Sequence, residues 1–196
     1  MTIHLPTNAP EIRARANYSH TFAPVGGYER NMMATSLDFP TSDHAVIFDL
    51  DGTLADCTHR LRYIHPPKIE GALKQKKDWH AFFTACADDS LITDVAVMLR
   101  LMWELGFVVL LVSGRSDLVR GETVTWLARN LLPYHRLYMR VNGDHRPDDI
   151  VKREIYLTQI KPEFPRIFAV FDYRQTVVNM WRSEGLRCYQ VASDNF

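Results

Sequence analysis

Val46-Ile47-Phe48-Asp49-Leu50-Asp51-Gly52-Thr53-Leu54 is the stretch on which the reading of this chain turns. Its apolar residues run without a break into Asp49. That is the pattern of a parallel strand buried on both faces, with its carboxyl end at the aspartate. In open α/β sheets the ligand site lies just beyond such ends. Asp49 and Asp51 therefore leave the strand side by side where a site is expected, and Gly52 permits a sharp turn after them. The pair suits metal-assisted phosphoryl transfer, with Asp49 as nucleophile and Asp51 as general acid and base. A hard divalent cation, Mg2+, would screen both carboxylates and the phosphate. An isolated Asp-x-Asp-Gly is more often a solvated turn. The weight comes from the segments farther along.

Phe107 to Val112 is a second apolar run, ending in Ser113-Gly114-Arg115. A hydroxyl and backbone N–H groups at a strand end suit a phosphate oxygen, and Arg115 is either a further donor or a partner for an acid. Leu137 to Met139 reads as a short third strand, followed by a turn-rich, charged stretch from Arg140 to Asp149. Asp148 or Asp149 then caps a helix with Lys152 in its first turn, where a lysine can point back to the strand ends. Ile167 to Phe171 is the fourth strand and stops at Asp172-Tyr173-Arg174, placing Asp172 as a third metal carboxylate. Arg187 to Val191 is the last strand.

Helices fill the intervals. Thr93 starts one whose apolar face is Val95, Met98, Leu101, Met102 and Leu105, and Gly106 ends it. Leu118 to Leu131 is another, and a last one carries Val177, Val178 and Trp181 and ends at Gly185. The alternation predicts an α/β fold: a doubly wound, Rossmann-like parallel sheet of about five strands with helices on both faces. Residues 56–90 form a helical insertion after the first strand, with helices at Thr58 to Ile64 and Lys77 to Cys86 and a stop at His65-Pro66-Pro67. Trp79, Phe82 and Phe83 share one helical face, a spacing more often used for packing than for stacking bases. Arg60, Arg62, Lys74, Lys76 and Lys77 make this insertion basic, as a lid over an anionic substrate would be. Residues 1–43 are rich in breakers and read as a tail, solvated or packed on the 44–196 domain.

Composition excludes several alternatives. The chain has 196 residues, enough for one α/β domain and an appendage. Its 23 acidic and 23 basic residues balance, which argues against a long polynucleotide-binding surface. Three cysteines without a Cys-x-x-Cys pair argue against a disulfide framework or a zinc site and suit a reducing compartment. No apolar run approaches a membrane span and the start lacks a secretory pattern, so a cytoplasmic protein without a membrane partner is expected.

With these segments in view, residues 45–196 resemble the haloacid-dehalogenase phosphatase superfamily. The match rests on Phe48-Asp49-Leu50-Asp51-Gly52-Thr53, Ser113, Lys152 and Asp172. Within it the chain is most similar to the 3′-phosphatase domain of phage-type polynucleotide kinase. The finer marks are Val112-Ser113-Gly114-Arg115, Arg146-Pro147-Asp148-Asp149-Ile150-Val151-Lys152, Val178-Asn179-Met180-Trp181-Arg182 and the ending Gln190 to Phe196. The resemblance implies Asp49 as nucleophile and Asp51 as acid and base, with Ser113, Gly114 and Lys152 on the phosphate. It implies Mg2+ held by Asp49, Asp172 and the Asp51 backbone carbonyl, with Arg115, Arg140, Arg146 and Arg174 as substrate-side or structural cations. The substrates it implies are nucleic acid 3′ ends or nucleotides, and the partner a separate kinase or ligase. No Gly-x-x-x-x-Gly-Lys-Ser/Thr occurs, so 5′-kinase activity is not expected of this chain. Relatives tend to carry Asp-Asp-Arg where this chain has Asp172-Tyr173-Arg174. That departure implies weaker Mg2+ binding, and in the extreme a module that binds phosphorylated ends without turnover.

Overall fold

The structure is a computed structural model that describes residues 44–65 and 76–193. The tail at 1–43, the stop at Pro66-Pro67, Lys74 and residues 194–196 lie outside the described residues. Seven strands and five α-helices make up the described chain. The strands are β1 (Ala45–Phe48), β2 (Ala55–Asp56), β3 (Ser90–Leu91), β4 (Val108–Ser116), β5 (Arg136–Arg140), β6 (Ile167–Asp172) and β7 (Cys188–Gln190). The helices are α1 (Trp79–Thr84), α2 (Thr93–Glu104), α3 (Arg120–Arg129), α4 (Asp148–Ile155) and α5 (Gln175–Ser183).

Five strands form one parallel sheet in the order β5-β4-β1-β6-β7. The chain winds outward from β1 to β5 on one side, then returns to build β6 and β7 on the other. β1 thus sits at the switch point, where both neighbours lead their connections away and leave a crevice at the carboxyl edge. Alternation along β1 explains the two faces. Val46 and Phe48 join a core with Val95, Ala96 and Leu99 of α2 and Trp126 and Leu127 of α3. Ala45 and Ile47 join the opposite core, with Val151 and Ile155 of α4 and Val177, Val178 and Trp181 of α5. The doubly wound sheet with helices on both faces is therefore as expected.

Four details differ from the sequence reading. On α2 the buried residues are Val95, Ala96 and Leu99, whereas Met98 is 38% and Leu101 51% exposed. The expected stripe at 95, 98, 101, 102 and 105 follows helical spacing. It is rotated from the true face because Ala96 and Leu99, which fit against the sheet, carried no weight in the pattern. Second, β4 does not stop at Val112 but continues to Ser116, with its register to β5 shifting between Ser113 and Ser116. Ser113-Gly114-Arg115 is thus a bulge inside a strand rather than a loop after it. Third, Pro147 caps α4 without a side-chain bond, Asp148 and Asp149 occupy its first turn, and Lys152 lies in its last. Fourth, the insertion closes on itself: β2 pairs antiparallel with β3, so the chain leaves and re-enters the domain through a two-stranded stem. Its first helical piece, Thr58–Tyr63, is a tight 3-10 turn, and α1 runs on into another at Ala85–Asp88. Among the described residues no helix is long and apolar enough to cross a membrane.

The α2 assignment can be checked directly. Leu99→Ala should cost about 2–5 kcal/mol of unfolding free energy by urea titration, because it empties a fully buried position. Leu101→Gln should change it by less than about 0.5 kcal/mol. The reverse order would place α2 on the face expected from sequence.

Candidate active site

The turn after β1 wraps around one carbonyl. The N–H groups of Thr53, Leu54 and Ala55 all donate to Leu50 O, at 3.1, 2.8 and 2.8 Å. Leu50 and Leu54 are fully buried and anchor that loop to the core. Gly52 takes φ +77°, and a Cβ there would lie 2.7 Å from the ring of Tyr173. Both conformation and space demand glycine. This geometry holds Asp49 and Asp51 on the same side of the strand end.

Asp49 meets Lys152 and Asp172. Lys152 Nζ reaches across from α4 to Asp49 Oδ1 at 2.7 Å and Asp172 Oδ2 at 2.9 Å. Thr53 Oγ1 donates to Asp49 Oδ2 at 3.3 Å. Asp172 also accepts from Trp181 Nε1 at 3.3 Å and from the Arg174 N–H at 3.2 Å. All three charged groups are buried. Burial pushes the Asp49 carboxyl up to about 7, the Lys152 ammonium opposing it and the Asp172 charge adding to it. Lys152 is held above its ordinary value: burial works against its charge, but Asp172 and Asp49 outweigh that. The sequence placed Asp49, Lys152 and Asp172 near one another, and the structure brings them into one ion bridge.

Asp51 sits in a second cluster that the sequence did not disclose. Arg60 Nη2 and Arg115 Nη2 approach Asp51 Oδ1 at 2.5 and 2.6 Å. The same guanidiniums hold Asp89: Arg60 Nε at 2.8 Å from Oδ1, Arg115 Nη2 at 2.6 Å from Oδ2. Arg60, Arg115 and Asp89 have fully buried side chains. Arg60 is therefore a buried structural cation, not an exposed charge of a basic lid. Burial pushes Asp51 up, but Arg115 and Arg60 together outweigh it and hold the carboxyl down to about 2. The pair favours the carboxylate, the form that takes a proton from water. Asp89 lies 38 residues beyond Asp51 in the chain, and no spacing rule links them; only the β2–β3 stem brings them together.

The remaining arginines are also engaged. Arg140 donates to Gly114 O at 2.9 Å, to Arg146 O at 2.6 Å, and to Asp148. Arg174 lies 3.0 Å from Asp148 Oδ2 and donates to the Tyr173 hydroxyl at 2.8 Å. Arg146 pairs with Asp144 at 2.7 Å and Glu154 at 2.6 Å. Asp148, which the sequence reading took for a cap, lines the cavity and pairs with Arg140 and Arg174. Its place four residues before Lys152, one turn up the same helix face, was the available signal. Its Oδ1 lies 2.6 Å from where a Gly114 Cβ would stand, so only glycine lets this carboxylate approach the bulge. Ser113 is buried and its hydroxyl accepts the Arg115 N–H at 3.2 Å. Tyr173 is both packing and lining: it is 3% exposed, covers Gly52, and borders the cavity. Burial, partly opposed by Arg174, raises its phenol and keeps it neutral.

Asp49, Asp51, Gly114, Lys152 and Tyr173 line a cavity of about 730 Å³. Residues 43–196 match the family described as polynucleotide kinase PNKP phosphatase domain. The chain belongs to that family, within the haloacid-dehalogenase superfamily, and is a phosphatase. A solved Pnkp1/Rnl/Hen1 RNA repair complex matches with 33% identity and a TM-score of 0.62, over 83% of this chain and 48% of that one. A second Pnkp1/Rnl/Hen1 structure matches with 30% identity and a TM-score of 0.65, over 94% and 60%. A relative in Autographa californica nuclear polyhedrosis virus, named as a bifunctional polynucleotide kinase/RNA ligase, is 26% identical over 70% of this chain and 18% of its own length. The chain thus spans less than two thirds of each of these relatives.

Phosphatases of this superfamily generally use Mg2+. Among the described residues no three or more His, Cys, Asp or Glu side chains converge as a metal cage. The carboxylates of Asp49 and Asp172, both held by Lys152, are the oxygens that would hold such a cation. Few protein oxygens suit Mg2+, and a cation here would oppose the burial, and the lesser repulsion from Asp172, that make ionising Asp49 costly. The Asp51 carboxylate is turned to the arginines instead.

Arg115→Met should destabilise the fold by about 3–5 kcal/mol in urea titration, because it strands two carboxylates on one guanidinium. A loss below about 1 kcal/mol would mean that Arg60 compensates both.

Proposed function

We propose that this phosphatase removes phosphate from the 3′ ends of polynucleotides with Mg2+, through an aspartyl-phosphate on Asp49. The observation that carries the proposal is a buried Asp49, bridged by Lys152 and opening into the cavity with Asp51 two residues away. An Asp49 carboxylate oxygen attacks phosphorus and the bond to the leaving 3′ oxygen breaks. Asp51 gives that oxygen a proton. A water then attacks the aspartyl-phosphate, Asp51 takes its proton, and inorganic phosphate leaves with Asp49 restored. Arg60 and Arg115 keep Asp51 anionic at rest, so it must gain a proton before it serves as the acid of the first half. Ser113, Gly114 and Lys152 hold the phosphate oxygens in this reading. Bound Mg2+ supplies charge neutralisation between the carboxylates and the phosphate.

The family description and the RNA repair relatives support a polynucleotide 3′ end and a separate kinase or ligase acting beside this chain. One observation favours mononucleotides as a second reading. Arg115, Arg140, Arg146 and Arg174 each spend donors on protein acceptors, which leaves less cationic surface for a long polyanion.

Phosphate release should depend on Mg2+ and fall at least about a thousandfold in Asp49→Asn. Retained turnover in that variant would overturn the mechanism. A 3′-phosphorylated oligonucleotide should exceed 3′- and 5′-mononucleotides in kcat/KM, and the opposite order would select the second reading.

A further inference from the structure

We propose that Trp79 is a stacking platform for the base of the terminal nucleotide, so that the cavity reads a nucleoside as well as a phosphate. This rests on the 3′-end reading above and names which part of the substrate the far wall recognises.

Four observations carry it. At about 730 Å³ the cavity is far larger than a phosphate needs and falls in the range of pockets that enclose whole small ligands. Its lining is divided by chemistry. Asp49, Asp51 and Lys152 make the charged end, while Leu61, Ile64, Trp79, Phe83 and Leu118 contribute an apolar and aromatic surface. Trp79 is 48% exposed, a large indole left open within reach of that space. A phosphate has no flat apolar face to cover an indole, whereas every nucleobase has one.

The fourth observation is that the indole is held in place relative to the chemistry. Trp79 lies beside Phe83 (5.9 Å between centroids, 28° between planes) and edge-on to Phe82 at 5.7 Å. Phe82 is buried under the Arg60 guanidinium, whose central carbon lies 4.3 Å from the ring centroid, and the Phe82 carbonyl accepts from Arg60 Nη1 at 3.3 Å. The other end of Arg60 holds Asp51. An unbroken line of contacts, Trp79 to Phe82 to Arg60 to Asp51, fixes the span from platform to acid. Such fixed placement is what binding a terminal nucleoside near the reacting phosphate requires. The Lys77 ammonium lies over the Trp79 ring, 5.5 Å from its centroid, a mobile cation that an incoming base would displace towards the phosphate side.

The test compares two oligonucleotides that differ only in whether the 3′-phosphorylated terminal residue carries a base or is abasic. The wild-type chain should favour the base-bearing end by roughly ten- to hundredfold in kcat/KM, the usual effect of one stacked base. Trp79→Ala should lose that preference through KM on the base-bearing end, with kcat unchanged and the abasic end unaffected. Trp79→Phe should restore part of it. Equal loss on both ends, or no loss on either, would overturn the platform while leaving the phosphatase reading intact. The abasic end also reports whether the variant is folded. Silence of the wild type on both ends, with release from another phosphomonoester, would overturn the 3′-end reading and the platform with it.

Discussion

The site depends on one buried ion bridge: a single lysine ammonium between two carboxylates from different strands. Without Lys152, Asp49 would face Asp172 with nothing to offset its burial, and its carboxyl would rise further still. A nucleophilic carboxylate must be both anionic and poorly solvated, and these requirements conflict. The bridge eases the conflict by neutralising part of the charge, while burial still holds Asp49 well above the usual carboxylate range. It also ties three elements together, since β1, β6 and α4 each contribute one member. The crevice at the switch point of the sheet is the one place where these elements converge.

A second conflict is settled beside it. Asp51 lies near Asp49 and Asp172 in sequence or space, yet it is steered into a separate cluster with Arg60, Arg115 and Asp89. Two guanidiniums against two carboxylates leave that cluster without net charge. Isolated buried ion pairs add little to stability, because desolvation offsets their attraction. Their value here is geometric. Arg60 belongs to the insertion, Asp89 to its stem, Arg115 to the β4 bulge and Asp51 to the turn after β1. The network locks the insertion onto the sheet, and α1 with its aromatic residues is carried along.

Much of this was legible in the sequence, for a definite reason. Parallel strands buried on both faces are nearly continuous apolar runs, so Ala45 to Phe48, Val108 to Val112 and Ile167 to Phe171 stand out. The fold rules then place Asp49 and Asp172 at one edge without any contact being known. What stayed hidden depends on pairing. Nothing local in Arg60 separates it from Arg62, yet one is buried against two carboxylates and the other is exposed. The α2 face was misread because Ala96 and Leu99 pack against the sheet while Met98 and Leu101 face outward. Leu99 and Leu101 are the same residue, so only their place on the helix separates them. The β4 bulge was hidden because a register shift belongs to two strands, and only one of them was being read.

Tyr173 shows how a departure from a family pattern is best weighed. Counted as charge, a neutral phenol adds none to the buried Asp49, Asp172 and Lys152 beside it. The phenol stays neutral, its hydroxyl accepting from Arg174. Counted as volume, it fills the space above Gly52 that the turn leaves open, and it borders the cavity as well. The two effects act on different requirements. Charge beside Asp49 is balanced by Lys152, while the Tyr173 ring packs against the turn that carries Asp49. Tyr173 therefore leaves the Asp49 carboxylate and its bridge to Lys152 in place. This makes it compatible with turnover, and a poor reason to regard the site as decayed.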